Sequence, residues 1–145
     1  MTDTPTRPEP SDFNRQVIDA LRASGGALSE GPFAGAPLLV LHTRGRRSGR
    51  AYENPMMYLE LEGRVYVFAS RVGHPDHPDW YLNLVAHPEV TVERGGETYP
   101  ARAVPLEEGE RARVYELQSE AYPQFADYQR QTSRVIPVVE LVPAG

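Results

Sequence analysis

The sequence of 145 residues contains no cysteine. This absence excludes disulfide bonds, a thiolate nucleophile and cysteine metal ligands. The sequence also lacks any apolar run near the roughly 20 residues that a membrane-spanning helix needs, and its polar, proline-rich start is unlike a signal peptide. We therefore expect a cytoplasmic protein with no stable membrane insertion.

An excess of basic charge is absent as well, since 20 acidic residues outnumber 15 basic ones, the formal net charge is −5 and the sequence pI is about 5.4. Because nucleic-acid binding depends on neutralising phosphates, this balance disfavours a nucleic-acid partner. The sequence has no Gly-x-Ser-x-Gly, His-Glu-x-x-His or Walker motif, so a hydrolase would need scattered catalytic residues. We expect a small-molecule partner instead.

With 40% hydrophobic residues, a chain of this length fits one globular domain. We predict a disordered N-terminal tail over residues 1–10 and a single domain over residues 11–145. The spacing of Phe13, Val17 and Leu21 predicts a first helix, which Gly25 and Gly26 end. The sequence contains no internal repeat.

Strand patterns dominate the rest of the domain. The predicted strands cover residues 38–44, 51–61, 64–70, 90–93, 98–104 and 135–142, and further helices cover residues 78–86 and 107–121. Pro55 and Pro137 indicate an edge or a bulge, whereas Gly95-Gly96 suits a hairpin turn. Because the first three strands leave no room for crossover helices, we predict an antiparallel β-barrel or a highly curved sheet with peripheral helices, a mainly β (α+β) fold.

An arginine-rich loop follows the first predicted strand. Four of the seven residues in 44–50 are arginine, interleaved with Gly45, Ser48 and Gly49. Glycine lets a ligand approach the backbone, and the guanidinium group matches phosphate or carboxylate oxygens. The pattern predicts an anion-binding loop, with His42 directed toward it. A solvated hairpin whose arginines only maintain solubility is the alternative.

Two other stretches are candidates for chemistry. Tyr122, Phe125 and Tyr128 recur every three residues, which suits either core packing or contact with a planar ligand. His74 and His77 have the spacing of zinc ligands, but the prolines beside them favour a rigid structural loop and no third ligand follows at helical spacing. We therefore predict no metal site.

Several stretches together resemble the deazaflavin-dependent nitroreductase family of actinobacteria. They are residues 39–49, 54–55, 69–71, 78–84, 122–129 and 134–139, and the resemblance extends over about residues 37–143. It implies a split β-barrel, FMN-binding split-barrel-like, that binds coenzyme F420, an 8-hydroxy-deazaflavin with a phosphodiester and a γ-linked glutamate tail. The implied reaction is hydride transfer from the reduced deazaflavin to an enone, a quinone or a nitro compound.

The resemblance also implies roles for individual residues. The residues that would bind the anionic part of the cofactor are Arg44, Arg46, Arg47, Ser48, Gly49 and Arg50. Those beside or over the ring would be Met57, Ala69, Ser70, Arg71, Trp80, Tyr81 and Asn83. Tyr122 and Tyr128 would line the acceptor pocket and act in catalysis with Ser70. Phe125 stands where relatives carry tyrosine, which places reduction of nitro compounds in question.

Two alternatives keep the barrel. In the first, FMN replaces F420, because its phosphate also suits the arginine loop. In the second, the protein is a non-catalytic carrier of the cofactor. Titration with each cofactor distinguishes the first alternative, and turnover over a panel of acceptors distinguishes the second. The sequence leaves a homodimer open.

Overall fold

The computed structural model describes residues 12–25, 28 and 35–144. The predicted disordered tail over residues 1–10 lies outside them. The described strands are β1 (Leu38–Arg44), β2 (Ala51–Leu61), β3 (Arg64–Phe68), β4 (Glu89–Arg94), β5 (Glu97–Pro105) and β6 (Val138–Pro143). The described helices are α1 (Asp12–Ser24), α2 (Asp79–Ala86), α3 (Glu108–Ala121) and α4 (Gln124–Arg130).

The six strands close into one antiparallel barrel in the order β1-β2-β3-β6-β5-β4. Hairpins join β1 to β2, β2 to β3 and β4 to β5. In the last of these, Gly95 and Gly96 adopt φ of 63° and 84°, the left-handed conformation that a tight hairpin turn requires. The predicted antiparallel barrel is confirmed.

β1 is covered on both faces. Leu39 and Leu41 belong to the core inside the barrel, whereas Leu38 and Val40 pack with Ile18 of α1. All four strand residues are at most 4% exposed. Alternate side chains of a strand point to opposite faces, so a continuous apolar run is needed where both faces are buried. The prediction of a doubly covered first strand is confirmed.

β2 changes its ladder partner along its length. Its pairing with β3 extends from Tyr58 to Leu61, whereas its pairing with β1 extends from Ala51 to Met57. Pro55 therefore lies where β2 has one ladder neighbour, opposite Val40. Proline is tolerated at such a position because it lacks a backbone donor. The local edge predicted at Pro55 is present, without a bulge in its register to β1.

Two predicted strand boundaries were wrong. β3 ends at Phe68 rather than at residue 70, and β6 begins at Val138 rather than at residue 135. Ile136 is fully buried, but it packs in a cluster with Phe68 and Tyr115 instead of pairing in the sheet. An apolar segment can thus bury its side chains beside a sheet without entering its ladder.

A second core lies outside the barrel, where α3 and α4 pack on β3 and β6. Phe68, Tyr115 and Phe125 meet edge to face, with ring centroids 5.6 to 6.3 Å apart. This geometry is favourable because the positive edge of one ring meets the negative face of another. Phe125 is 5% exposed, so core packing accounts for this member of the aromatic series.

An ion-pair network attaches α1 to the barrel. Arg22 Nη2 lies 2.6 Å from Glu93 Oε2 and 3.0 Å from Glu53 Oε2, and His42 Nε2 lies 2.5 Å from Glu93 Oε2. The expectation that His42 faces the arginine loop was therefore wrong. Within the described ranges, His42, Glu53 and Glu93 also form the one group of three whose metal-ligand atoms lie within 4.8 Å of one another. The guanidinium of Arg22 supplies the positive charge there.

This network makes stability depend on pH in the acidic range. The hydrogen bond from Arg22 lowers the pKa of Glu93 to about 2, although burial raises it, from an ordinary value of 4.5. Because the pKa is lower in the folded state, the stabilisation is present above pH 4.5 and is lost as the pH falls toward 2. We expect Glu93→Gln to reduce the free energy of unfolding by about 2 kcal/mol at pH 7, discounted because Arg22 is 40% exposed.

Urea unfolding at pH 7 and at pH 2.5 checks this expectation. The difference between Glu93→Gln and the unmodified protein should shrink at the lower pH, where Glu93 begins to bind a proton. Glu120→Gln, at an exposed position of α3, is the matched control. A difference that stays constant between the two pH values would contradict the role of Glu93.

Candidate functional site

The arginine hairpin, residues 44–50, has a defined backbone. Gly45 N donates to Arg50 O at 2.7 Å, and Gly49 N donates to Gly45 O at 2.9 Å. Arg50 N also donates to Ser48 Oγ at 3.1 Å. Gly49 has φ of 75°, which favours glycine. These bonds give the tip a fixed shape while leaving most of its side chains exposed.

The arginines of this hairpin divide into two kinds. Arg44 and Arg47 are exposed and, within the part of the chain that the structure describes, make no hydrogen bond or ion pair. Arg46 instead donates through Nη1 to Asn83 Oδ1 at 2.9 Å, and its Nη2 lies 3.5 Å from Asp79 Oδ1. Arg44 and Arg47 therefore keep their donors available for an anion, whereas Arg46 is bound to α2.

Asn83 connects α2 to the arginine hairpin. It is 4% exposed, and its Oδ1 also accepts a hydrogen bond from the backbone N of Arg46 at 3.1 Å. Its Nδ2 donates to Thr43 Oγ1 at 3.4 Å. A buried amide needs such partners because an unpaired polar group is costly. This structural role was not predicted, since nothing in the spacing of residues 46 and 83 reveals their contact.

The 69–77 loop follows β3 and carries a left-handed turn. Arg71, Val72 and Gly73 have φ of 46°, 53° and 79°. This conformation costs non-glycine residues on the order of 1–2 kcal/mol each, and it is least suited to a β-branched residue such as Val72. The hydroxyl of Ser70, immediately before the turn, has no hydrogen bond to any described residue. Strain of this kind persists only where the surroundings fix it.

Arg134 donates hydrogen bonds to three backbone oxygens of this loop. Its Nη1 donates to Ala69 O at 3.1 Å, its Nη2 to Ser70 O at 2.9 Å and its Nε to His74 O at 2.9 Å. Nη1 also lies 3.1 Å from His77 Nδ1. Arg134 lies within the family resemblance, but no role was predicted for it. No local pattern signals an arginine whose partners lie about sixty residues away.

α2 covers the other side of the loop. The rings of His77 and Tyr81 have centroids 4.8 Å apart. Burial, followed by the charge of Arg134, lowers the pKa of His77, and burial raises the pKa of Tyr81. His77 thus favours its neutral form, which can accept a hydrogen bond from Arg134. Trp80 and Tyr81 are half-buried against the barrel core.

Tyr122, between α3 and α4, and Tyr128 of α4 differ from the tyrosine of α3. Tyr122 and Tyr128 are half-buried, and their hydroxyls make no hydrogen bond with any residue that the structure describes. Tyr115 OH instead donates to Phe125 O at 2.6 Å, and burial raises the pKa of Tyr115 to about 12. Tyr128 packs edge to face on Phe125 at 5.2 Å. The acceptor role of Tyr122 and Tyr128 stays a prediction, for which two phenols are available.

These groups are joined contact by contact. Arg46 links the hairpin to α2, and the rings of His77 and Tyr81 link α2 to the 69–77 loop. A Cβ added to Gly73 would lie 2.9 Å from Tyr128 O, so the loop touches α4. The residues that the sequence assigned to the cofactor and to the acceptor therefore lie on connected elements.

One predicted site residue, Met57, and one pocket lie apart from this arrangement. Met57, which was predicted to lie beside the ring, is half-buried and packs against the clusters under α1 and α4. A pocket lies between α1 and the β4–β5 turn, lined among others by Arg22, Glu93 and Gly96, and no predicted site residue lines it. The predicted site residues lie outside this pocket, most of them on the arginine hairpin, the 69–77 loop and α2, and their role as a site stays a prediction.

Comparison with known proteins identifies related sequences. The sequence model of a family described as F420H2-dependent quinone reductase matches residues 13–143. A Mycobacterium tuberculosis protein with a provisional assignment to that activity is 37% identical over 107 residues, which are 74% of this chain and 90% of the relative. An F420H2-dependent quinone reductase of the same organism is 30% identical over 130 residues, 87% of each chain.

Solved structures give a concordant result. An F420-H2 dependent reductase called FDR-A is similar with a TM-score of 0.66 and 40% identity, over 72% of this chain and 93% of that one. A structure described as a domain-swapped dimer is similar with a TM-score of 0.68 and 35% identity, over 90% of this chain and 97% of that one. The similarity thus covers sequence and fold together.

Proposed function

The chain belongs to the family of F420H2-dependent quinone reductases, and from this membership we propose how its own residues carry out the reaction of an F420-dependent reductase. The reduced deazaflavin supplies a hydride, and the acceptor is a quinone or a related electron-poor compound such as an enone. One observation carries the residue assignment: exposed arginines without described protein partners and tyrosines with free hydroxyls lie on elements connected to the 69–77 loop, the arginine hairpin through α2 and Tyr128 through α4.

The guanidinium donors of the exposed arginines suit the anionic groups of the cofactor. The family resemblance implies a phosphodiester and a glutamate tail, both anionic. Arg44 and Arg47 present guanidinium groups that no described residue neutralises, and Arg71 is exposed beside Ser70. Charge-assisted bonds between arginine and such oxygens are among the stronger hydrogen bonds in proteins. We assign anion binding to Arg44, Arg47 and Arg71, and a structural role to Arg46.

The other residues orient the reactants and exclude water. Ser70 offers a hydroxyl two residues after the end of β3, where the resemblance places the ring. Tyr81 of α2 contacts His77 of the same loop, and Tyr81 and its neighbour Trp80 would cover the ring face. A phenol at Tyr122 or Tyr128 donates a hydrogen bond or a proton to the oxygen that gains charge as the acceptor is reduced. The chemistry requires no protein nucleophile, because the cofactor carries the reactive carbon.

Phe125 bears on acceptor choice. Its ring is buried between Phe68 and Tyr115, so it supplies packing rather than a hydroxyl. The acceptor side therefore has two phenols, and we propose that quinones and enones are reduced faster than nitro compounds. Comparing kcat/KM for one compound of each class tests the order, and a preference for the nitro compound would overturn it.

Direct titration tests the cofactor assignment. We expect the fluorescence of F420 to change on addition of the protein until binding is saturated. FMN should bind more weakly. FMN is the second candidate because its phosphate would contact the same arginines. Tighter binding of FMN would replace F420 in the proposal, and binding of F420 without turnover of any acceptor would indicate a carrier.

Arg47→Ala is expected to raise the Kd for F420 roughly tenfold, because one charge-assisted hydrogen bond of about 1.5 kcal/mol is lost. Isothermal titration of the variant measures the change. Arg113→Ala on α3, whose side chain is 59% exposed, is the matched control because it removes the same charge elsewhere. Equal affinities of Arg47→Ala and the unmodified protein would remove Arg47 from the site.

We also propose that the protein forms a homodimer in the cytoplasm. The support is the similar structure described as a domain-swapped dimer, of which this chain covers 97%. Light scattering should then give twice the 16.2 kDa mass of one chain, and a monomer mass would contradict the proposal. Among the described helices, none has the length and apolar character to span a membrane.

A further inference from the structure

A single guanidinium holds both ends of the left-handed turn. Arg134 donates to Ser70 O immediately before the turn and to His74 O immediately after it, both at 2.9 Å. The backbone bonds of the turn, from Gly73 N to Ser70 O and from His74 N to Arg71 O, lie between these two contacts. Because the turn is strained, it needs a restraint from outside, and these contacts provide one.

α4 fixes Arg134 in turn. Gln129 Nε2 donates to Arg134 O at 2.8 Å, and Gln129 Oε1 accepts from Ile136 N at 3.1 Å. The same helix carries Tyr128, whose backbone O closely approaches Gly73. Arg134 therefore connects the loop assigned to the cofactor ring with the helix assigned to the acceptor.

The chemistry of these contacts requires arginine. The acceptors are three backbone carbonyls and the ring of His77, and a guanidinium presents five donors in a planar fork that can reach several of them at once. A lysine ammonium concentrates its donors on one atom. Burial, followed by the charge of Arg71, lowers the pKa of Arg134, whereas Tyr115 and Asp76 raise it. None of the described carboxylates forms a hydrogen bond with Arg134, so its donors go to neutral acceptors of the loop.

We propose that Arg134 is a positioning residue: it holds Ala69, Ser70 and Arg71 in the conformation that receives the deazaflavin ring and keeps this segment in contact with the helix that carries Tyr128. The part of the proposal that concerns the loop depends only on this chain. The part that concerns the ring rests on the proposed function.

Amide hydrogen exchange of the protein without cofactor tests the first part. In Arg134→Met, exchange at Gly73 and His74 should be at least roughly tenfold faster, because local opening becomes easier, whereas exchange at Val92 in the barrel should change less than twofold. Arg111→Met is the control, since Arg111 Nη1 donates to Ile136 O at 3.0 Å and does not contact the loop. Unchanged exchange at Gly73 and His74 would overturn the proposal.

Binding and kinetics test the second part. Arg134→Lys, which keeps the charge and much of the side-chain stem, should raise the Kd and the KM for F420 roughly tenfold, and the KM for the acceptor less than twofold. Arg111→Met should leave both values unchanged. If Arg134→Met does not fold, Arg134→Lys serves for the exchange measurement as well.

The outcomes separate the two proposals. If the unmodified protein does not bind F420, the proposed function fails, and hydrogen exchange still decides whether Arg134 holds the loop. If the unmodified protein binds F420 and Arg134→Lys binds it equally tightly, the positioning role is wrong while the proposed function stands.

Discussion

Replacing Gly73 with alanine should reduce the free energy of unfolding by about 3 kcal/mol. About 1 kcal/mol comes from placing a side chain at a positive φ, and about 2 kcal/mol comes from steric overlap. The added Cβ would lie 2.9 Å from Tyr128 O and 3.0 Å from Gln131 Cβ. Because the backbone of α4 must move to relieve this overlap, we also expect a lower kcat.

Gly63→Ala is the matched control for the cost of placing a side chain at a positive φ. Gly63 has φ of 83°, close to the 79° of Gly73, but a Cβ built on Gly63 meets no atom within 4 Å. We expect a loss of about 1 kcal/mol for Gly63→Ala. Urea unfolding of both variants measures the difference. Equal losses at the two positions would show that α4 does not press on the turn.

Tyr128→Phe should lower kcat for a quinone roughly 100-fold, the lower end of the range for general acid catalysis. The hydroxyl of Tyr128 has no partner among the described residues, so its removal costs little stability. The ring still packs on Phe125, and the Kd for F420 should stay within twofold. Stopped-flow measurement of cofactor oxidation gives kcat, and fluorescence titration gives the Kd.

Tyr115→Phe provides the contrast. The hydroxyl of Tyr115 is already bound to Phe125 O, so its loss should cost about 1 kcal/mol of stability and change kcat only slightly. A similar loss of kcat in Tyr115→Phe and Tyr128→Phe would indicate that the aromatic cluster acts only through packing. Tyr122→Phe then shows whether the second free phenol shares the proton transfer.

The elements that the sequence predicted well are those whose cause is local. The apolar run at residues 38–41 reflects burial on both faces, and Gly95-Gly96 specifies the β4–β5 hairpin by its φ angles alone. The bounds of β2 and the end of α1 also follow from local residues, since Gly25 stops the helix. The short connections between the first three strands predicted antiparallel pairing, whereas closure of the barrel depends on the distant pairs β1–β4 and β3–β6 and was implied only by the family resemblance.

The interactions that the sequence did not predict join residues far apart in the chain. Arg46 was assigned to the cofactor together with its neighbours, because composition cannot distinguish an arginine that pairs with Asn83 from one that stays exposed. For the same reason, the role of Arg134 was overlooked and the direction of the His42 side chain was predicted wrongly. Their partners lie on other elements, and only the packed structure determines them.

The position of β6 between β3 and β5 has a consequence for biosynthesis. β6 pairs with both strands, and it follows every other described element in the chain. A nascent chain therefore passes through a stage in which five strands are complete while two of them expose unpaired edges. Such edges invite association with other chains. Premature termination before Val138 should thus yield aggregates rather than a smaller folded protein.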